Sequence, residues 1–249
     1  MPPLHPLLLK LERALPLTPA ERTALASVPI RVVEVEADEQ VIRTGDRPST
    51  SFMVLEGFLA TSKLTPEGRR QIMTFHIPGD LPDLLSLHLE VLDSDIWTLS
   101  DCRLAYMEHA DLWPLCQEFP RLTAYLWRIT LVDASIFREW VLNVGQRPAL
   151  PRIAHLLCEI MARMEVAGLA HDGSCPFPIT QSVLAEATGL SIVHVNRTLQ
   201  DLRAQGLLSV GRGRLTIHQR AALADLAGFH IEYLHLRTLA PGWASRTTT

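Results

Sequence analysis

Val193, Asn196, Arg197 and Gln200 recur at i, i+3, i+4 and i+7, so a helix through them carries all four on one face. Asn196 and Arg197 bring a carboxamide and a guanidinium side by side. These flat groups with paired hydrogen-bonding atoms suit the edges of nucleobases or the oxygens of phosphates. On the opposite face Val195, Leu199 and Leu202 fall at i, i+4 and i+7, an apolar stripe that would hold such a helix down on a core.

The neighbouring residues supply the rest of the framework. Ser191 is placed to cap this helix, with Leu190 and Val195 at staple positions on either side of the cap. Thr180 is placed to cap a preceding short helix, with Ile179 and Leu184 in the same relation, and Gly189 stands where a positive φ would end that helix. Beyond the second helix, Ser209-Val-Gly-Arg-Gly-Arg214 reads as a hairpin with arginines at its tip. Helix, glycine turn, capped helix and basic hairpin in that order make a winged helix-turn-helix, the apparatus for laying one helix in the DNA major groove. The N-terminus of the first helix, at Thr180, Gln181 and Ser182, could hold phosphate through backbone N–H groups, and Arg212 and Arg214 could meet phosphates from the wing. A plain helical hairpin with a solvated polar face has the same short-range pattern, so the remainder of the chain must decide.

The 249 residues fit two domains, and 47% hydrophobic with 20% charged residues is ordinary globular composition. No apolar run reaches the length of a membrane span, and Met1-Pro-Pro-Leu-His-Pro lacks the basic and apolar regions of a secretory signal. Cys102, Cys116, Cys158 and Cys175 are widely spaced and form no Cys-x-x-Cys pair, which argues against a disulfide framework or a zinc site and sets the cytoplasm as the expected location. The net charge of −4 conceals an asymmetry. Between Thr180 and Arg220 the charged residues are Arg197, Arg203, Arg212, Arg214 and Arg220 against Glu186 and Asp201, whereas the first hundred residues are rich in Asp and Glu. A basic unit joined to an acidic one suits regulation better than general coating of nucleic acid.

Residues 4–27 read as a short helical preface, with Thr18, Pro19 and Glu21 forming a capping-box start. From Ile30 to about Glu108 short apolar runs alternate with turns at Gly45-Asp46, Pro66-Glu-Gly68 and Pro78-Gly-Asp80, the pattern of a small antiparallel barrel or jelly roll. After Pro114 the period becomes helical, and Leu122, Leu126, Ile129, Val132, Ile136 and Trp140 trace one stripe that is either core or dimer seam. Gly145-Gln-Arg-Pro148 breaks it. The expected class is therefore α+β: an N-terminal antiparallel β-roll over 1–113, a long dimerisation helix and hinge over 114–147, and a winged helix-turn-helix domain over 148–249. Leu223–Leu236 is expected to add a terminal helix, and Trp243–Thr249 to fray.

β-Roll, long helix and winged helix-turn-helix in this order resemble the Crp/Fnr family of bacterial transcription regulators over nearly the whole chain. The marks are Val41-Ile-Arg-Thr-Gly-Asp46, Val54-Leu-Glu-Gly57, Glu67-Gly-Arg-Arg-Gln-Ile72, Phe75-His-Ile-Pro-Gly-Asp80 and Gly189-Leu-Ser-Ile-Val-His-Val-Asn-Arg197. The resemblance implies a homodimer paired through the long helix on a palindromic site, with RNA polymerase as a further partner. By position in the family's motif, Ile192, Val193, Asn196 and Arg197 would read bases, and Ser191 and His194 would touch phosphates. Arg197 would pair with guanine and Asn196 with adenine or phosphate. Val193, where many members carry glutamate, would offer contact with a thymine methyl and so imply a different half-site.

The effector pocket departs from the family. Cyclic-nucleotide-responsive members carry a Gly-Glu pair after the second Gly-Asp and an Arg-Ser pair about ten residues later. Here the candidate pocket residues are Gly79, Asp80, Asp83 and Ser94, with Asp83 in place of the longer glutamate and Asp93 in place of the arginine. A carboxylate there repels a phosphate, and no arginine lies between Arg70 and Arg103, so the usual grip on a cyclic nucleotide is not expected. No cysteine precedes Cys102 to hold an iron–sulfur cluster, and His76, His88 and His109 are isolated candidates for haem. No cofactor and no metal are therefore expected, and an unidentified small-molecule effector stays open. The alternatives are a cyclic-nucleotide-responsive regulator, a regulator whose β-roll is only a scaffold, and a cupin-like metal enzyme fused to a DNA-binding tail. The last would need converging histidines that His76, His88, Glu90 and His109 do not provide as a His-x-His pair. No nucleophile elbow, Walker loop or His-Glu-x-x-His helix is present, so the chain is not expected to be an enzyme.

Overall fold

The computed structural model describes residues 5–12, 16–236 and 243. The chain divides into two compact units, residues 1–63 with 75–133, and residues 64–74 with 134–249.

The first unit opens with α1 (Pro6–Glu12) and α2 (Pro19–Ser27). The capping box expected at α2 forms: Thr18 accepts from Glu21 N–H, and the Glu21 carboxylate accepts from Thr18 N–H at 2.7 Å. Strands β1 (Arg31–Val35), β2 (Gln40–Ile42), β3 (Thr50–Glu56), β4 (Leu59–Leu64), β5 (Arg70–His76), β6 (Asp95–Thr98) and β7 (Cys102–Glu108) build two antiparallel sheets, ordered β1-β7-β3 and β2-β6-β4-β5. Period-two alternation sorts their side chains. Phe52 and Val54 from β3 and Cys102 and Leu104 from β7 meet Ile42, Leu59 and Ile96 of the second sheet in one apolar core. Met53 and Met107, one residue out of phase, face the other way, into a core with Leu7, Leu11, Leu25, Leu112 and Leu122 from the helices. At Gly57 a Cβ would lie 2.4 Å from the Asp101 carbonyl oxygen, and φ is +92°, so only glycine fits the β3–β4 turn.

Helix α3 (His109–Glu118) begins five residues before the expected onset of helical structure and contains Pro114. Proline there removes one N–H, and the helix continues to Glu118, with Phe119 as its C-cap, before Pro120 opens α4 (Pro120–Gln146) at its first position. The expected α4 stripe faces inward: Leu122, Leu126, Ile136 and Trp140 are buried, and Ile129 and Val132 half-buried. The division between the two units falls inside this helix, at 133/134.

In the second unit α4 is followed by α5 (Ala149–Val166), β8 (Ser174–Pro176), α6 (Gln181–Thr188), α7 (Ile192–Ala204), β9 (Leu208–Gly211), β10 (Arg214–Ile217) and α8 (Arg220–Ala227). The small sheet has order β8-β10-β9. Two expectations are corrected here. The terminal helix does not run to Leu236: Gly228 at φ +56° ends α8, and only a 3₁₀ turn, Ile231–Leu234, follows. Trp243 is not frayed but buried, and its Nε1 donates to Glu165 at 2.8 Å. The rest of that expected tail, 244–249, lies outside the described residues.

Candidate nucleic-acid interface and sensor residues

Both caps of the helix-turn-helix form as the sequence predicts. Thr180 Oγ1 accepts from Val183 N–H at 3.3 Å, and Ser191 Oγ accepts from His194 N–H at 3.2 Å. Gly189 takes the left-handed conformation at φ +65° between α6 and α7, and the amides of Gly189 and Leu190 both turn back to the Ala185 carbonyl. Val195, Thr198, Leu199 and Leu202 are buried and fix the rotation of α7. That rotation leaves Ser191, Ile192, Val193, His194 and Arg197 exposed, and Asn196 half-exposed. Val193 is 80% exposed, which no packing demand explains for a valine. Arg197 makes no hydrogen bond or ion pair among the described residues. Asn196 Nδ2 donates to Gln181 Oε1 at 3.0 Å, joining the two helices on their outer side. Thr180, Gln181 and Ser182 are exposed at the start of α6, with the Thr180 and Ser182 hydroxyls 2.8 Å apart.

The wing is a two-residue hairpin. Arg214 pairs with Gly211 across β9 and β10, and the intervening Arg212 and Gly213 have φ +52° and +70°. Positive φ at both positions is the turn whose twist matches the strands, and it holds Arg212 at the exposed tip. Arg214 is partly committed elsewhere, with Nε donating to Ser174 Oγ at 3.1 Å.

The sequence-predicted pocket residues are largely engaged in the fold of the first unit. Gly79 N–H donates to the Val54 carbonyl, Val54 N–H to the Asp80 carbonyl, and Asp80 Oδ2 accepts from Ile77 N–H at 2.9 Å. Lys10 Nζ donates to the Gly79 carbonyl. Asp83 is 1% exposed, and its Oδ1 accepts from Phe52 N–H at 2.9 Å. Burial pushes its carboxyl up to about 8, so it holds a proton at neutral pH. Gly79, Asp80 and Asp83 thus cluster behind β3, while Ser94 precedes β6 of the other sheet. Beside Ser94, Asp93 pairs with Lys63 at 2.6 Å, a basic partner that lies 30 residues earlier in the chain.

The histidine candidates are engaged too. His76 Nε2 lies 2.7 Å from Thr61 Oγ1, His109 Nε2 lies 3.0 Å from Ser51 Oγ, and His88 meets the Trp113 ring edge-on. All four cysteines are free and buried; burial pushes the Cys175 thiol up to about 12 and also raises Cys102, Cys116 and Cys158. Among the described residues no three His, Cys, Asp or Glu gather to hold a metal ion, and no helix is long and apolar enough to cross a membrane.

Three features escaped the sequence reading. A second apolar stripe, Trp127, Leu131, Val141 and Leu142, lies open along α4 at 66, 50, 71 and 46% exposure. Its spacing of i, i+4, i+14 and i+15 was legible had both faces of the helix been counted. Within the second unit, the 64–74 hairpin touches α6 through Arg70 Nε, 2.7 Å from Glu186, and through Gln71 Nε2, which donates to the Ala187 carbonyl. Finally, the α4–α5 joint is heavily braced. Arg152 donates to the Arg147 and Thr188 carbonyls, Asn143 donates to the Arg152 carbonyl, and Trp140 and Tyr233 both donate to the fully buried Glu159. No local motif announces these long-range contacts.

Residues 32–119 match the cyclic nucleotide-binding domain family and residues 151–226 the Crp-like helix-turn-helix domain family. The nitrogen fixation regulation protein FixK of Azorhizobium caulinodans is 26% identical over 84% of this chain and 82% of its own. FixK of Bradyrhizobium diazoefficiens is 28% identical over 79% of this chain and 82% of its own. The solved structure of FixK2 from Bradyrhizobium japonicum superposes with a TM-score of 0.72 at 24% identity, covering 80% of this chain and 98% of the other. The chain belongs to the Crp/Fnr family and is a DNA-binding transcription regulator.

Proposed function

We propose that the protein acts as a homodimer on a two-fold DNA site, one α7 helix per half-site, with the β-roll domain serving a signal other than a conventionally gripped cyclic nucleotide. The observation that carries the DNA-reading part is the outer face of α7. Ile192, Val193, Asn196 and Arg197 project from a helix whose other face is locked into a core, and Val193 is the most exposed of its large hydrophobic residues. The open Trp127–Leu142 stripe on α4 supports pairing with a second copy, since a helix apolar on two faces needs a partner for each. The commitment of Asp80 and Asp83 to backbone amides, and the proton held on Asp83, support the departure from cyclic-nucleotide binding. A β-roll used as a scaffold fits the same observation. The protein is read as a non-enzymatic regulator of the cytoplasm that contacts RNA polymerase once on DNA.

Selection of bound DNA from a random pool, with and without cell-extract metabolites, tests this reading. An inverted repeat is expected, and a metabolite-dependent change in affinity would reject the scaffold alternative. Arg197→Ala should lower affinity for the selected site by about 1–3 kcal/mol and leave non-specific binding nearly unchanged, as measured by titration against specific and scrambled duplexes. Equal loss on both duplexes would mean that Arg197 contacts only the backbone.

A further inference from the structure

Gln181 and Asn196 come from different helices and face solvent, yet one bond of 3.0 Å joins Asn196 Nδ2 to Gln181 Oε1. Exposed amides ordinarily exchange such a bond for water at little net gain, so the contact contributes little to stability. Its effect is orientational. A free carboxamide on a helix surface can present its oxygen or its nitrogen to a given point by turning over, and the two faces match different bases. The hydrogen bond couples the two amides, so that Asn196 can turn over only if Gln181 turns with it, and an anion at the first turn of α6 favours the arrangement in which the Gln181 nitrogen faces outward and its Oε1 accepts from Asn196 Nδ2.

We propose that Gln181 is a specificity-determining residue that sets the reading face of Asn196 and makes the two amides one recognition unit. This rests on the DNA-reading function argued above. One hydrogen of Asn196 Nδ2 goes to Gln181. The other, beside Oδ1, forms the donor–acceptor pair that adenine matches with N7 and N6–H₂. The Gln181 nitrogen, opposite the bonded oxygen, keeps both hydrogens for a phosphate at the first turn of α6, where the backbone N–H groups also favour an anion. The residue thereby ties register on the phosphate backbone to the choice of base. Neither cap moves when it changes, since Thr180 and Ser191 bond to Val183 and His194.

The test is selection from random DNA by the full chain and by Gln181→Ala, Gln181→Glu and Asn196→Ala, each first shown to melt at the wild-type temperature. Wild type should enrich adenine at one position of each half-site. Asn196→Ala and Gln181→Ala should both erase that preference, a loss on the order of ten-fold in discrimination at that position, while the other positions stay unchanged. Gln181→Glu should keep the adenine, because a carboxylate still accepts from Asn196, yet bind every sequence more weakly through repulsion of the phosphate. If Gln181→Ala keeps the adenine and weakens all sequences alike, or if no enriched adenine depends on Asn196, the inference is overturned. A wild-type chain that enriches no sequence at all would instead overturn the DNA-reading function on which it rests.

Discussion

Asp83 buries a carboxyl with one oxygen on the Phe52 amide and the other without a hydrogen-bond donor among the described residues. Burial raises its pKa from 3.8 to about 8, so in the native state the proton is held through a pH range where the unfolded chain has lost it. Where the folded state binds more protons, stability falls as pH rises. The contribution is therefore fully present below pH 3.8 and is lost as pH climbs through about 8. Asp83→Asn keeps the acceptor for Phe52 N–H and abolishes the ionisation. It should leave stability near wild type at pH 4 and exceed wild type by a few kcal/mol, roughly, at pH 8.5. Denaturant melts of both proteins at the two pH values check this; parallel curves across the range would show that Asp83 is ionised in the folded protein. Its place in the chain suggests a ribose-binding acid, whereas its burial and its bond to the Phe52 amide of β3 are long-range features that the local sequence does not carry.

At the level of elements, the α4–α5 joint is held by charge as well as by packing. Glu139 lies between Arg147, 2.6 Å away, and His155, 3.2 Å away, and its side chain is 20% exposed. The His155 ring and then the Arg147 guanidinium pull its pKa from 4.5 down to about 2. A depressed acid stabilises the fold above its unfolded pKa and loses that stabilisation as pH falls, here between 4.5 and about 2. Glu139→Gln should cost at most about 3 kcal/mol at pH 7, and the deficit should vanish near pH 2. A deficit that is constant with pH, followed by urea unfolding, would assign the loss to packing. The element scale also separates what the chain announces from what it hides. The caps at Thr18, Thr180 and Ser191, the left-handed Gly189 and the Arg212-Gly213 turn are local devices, each readable within five residues, and all are in place. Trp140 with Glu159 and Asn143 with Arg152 brace α4 onto α5, and Arg152 with Thr188 ties α5 to α6, partners up to 36 residues apart. Periodicity marks Trp140 as apolar and inward-facing, but cannot reveal that its indole N–H meets a buried carboxylate. Helix α3 was missed for a different reason, because a proline normally ends a helix and Pro114 sits inside one.

For the whole molecule the open face of α4 carries the largest consequence. Trp127, Leu131, Val141 and Leu142 are at least 46% exposed in the single chain, so a charge placed among them removes no core contact and should leave the protomer folded. If this face joins two copies, Leu131→Glu with Val141→Glu would set carboxylates in an apolar seam, where burying unpaired charge is strongly unfavourable. The doubly substituted protein should sediment as a monomer at concentrations where wild type is a dimer, with an unchanged thermal transition in dilute solution. Its affinity for a two-half-site operator should fall by on the order of 10²–10⁴-fold, because the second half-site is no longer bound by a tethered partner. Affinity for an isolated half-site should change little, since Asn196 and Arg197 are untouched. A variant that stays dimeric would move the pairing surface off this stripe. One that becomes monomeric yet keeps full operator affinity would show that each chain reads its half-site independently.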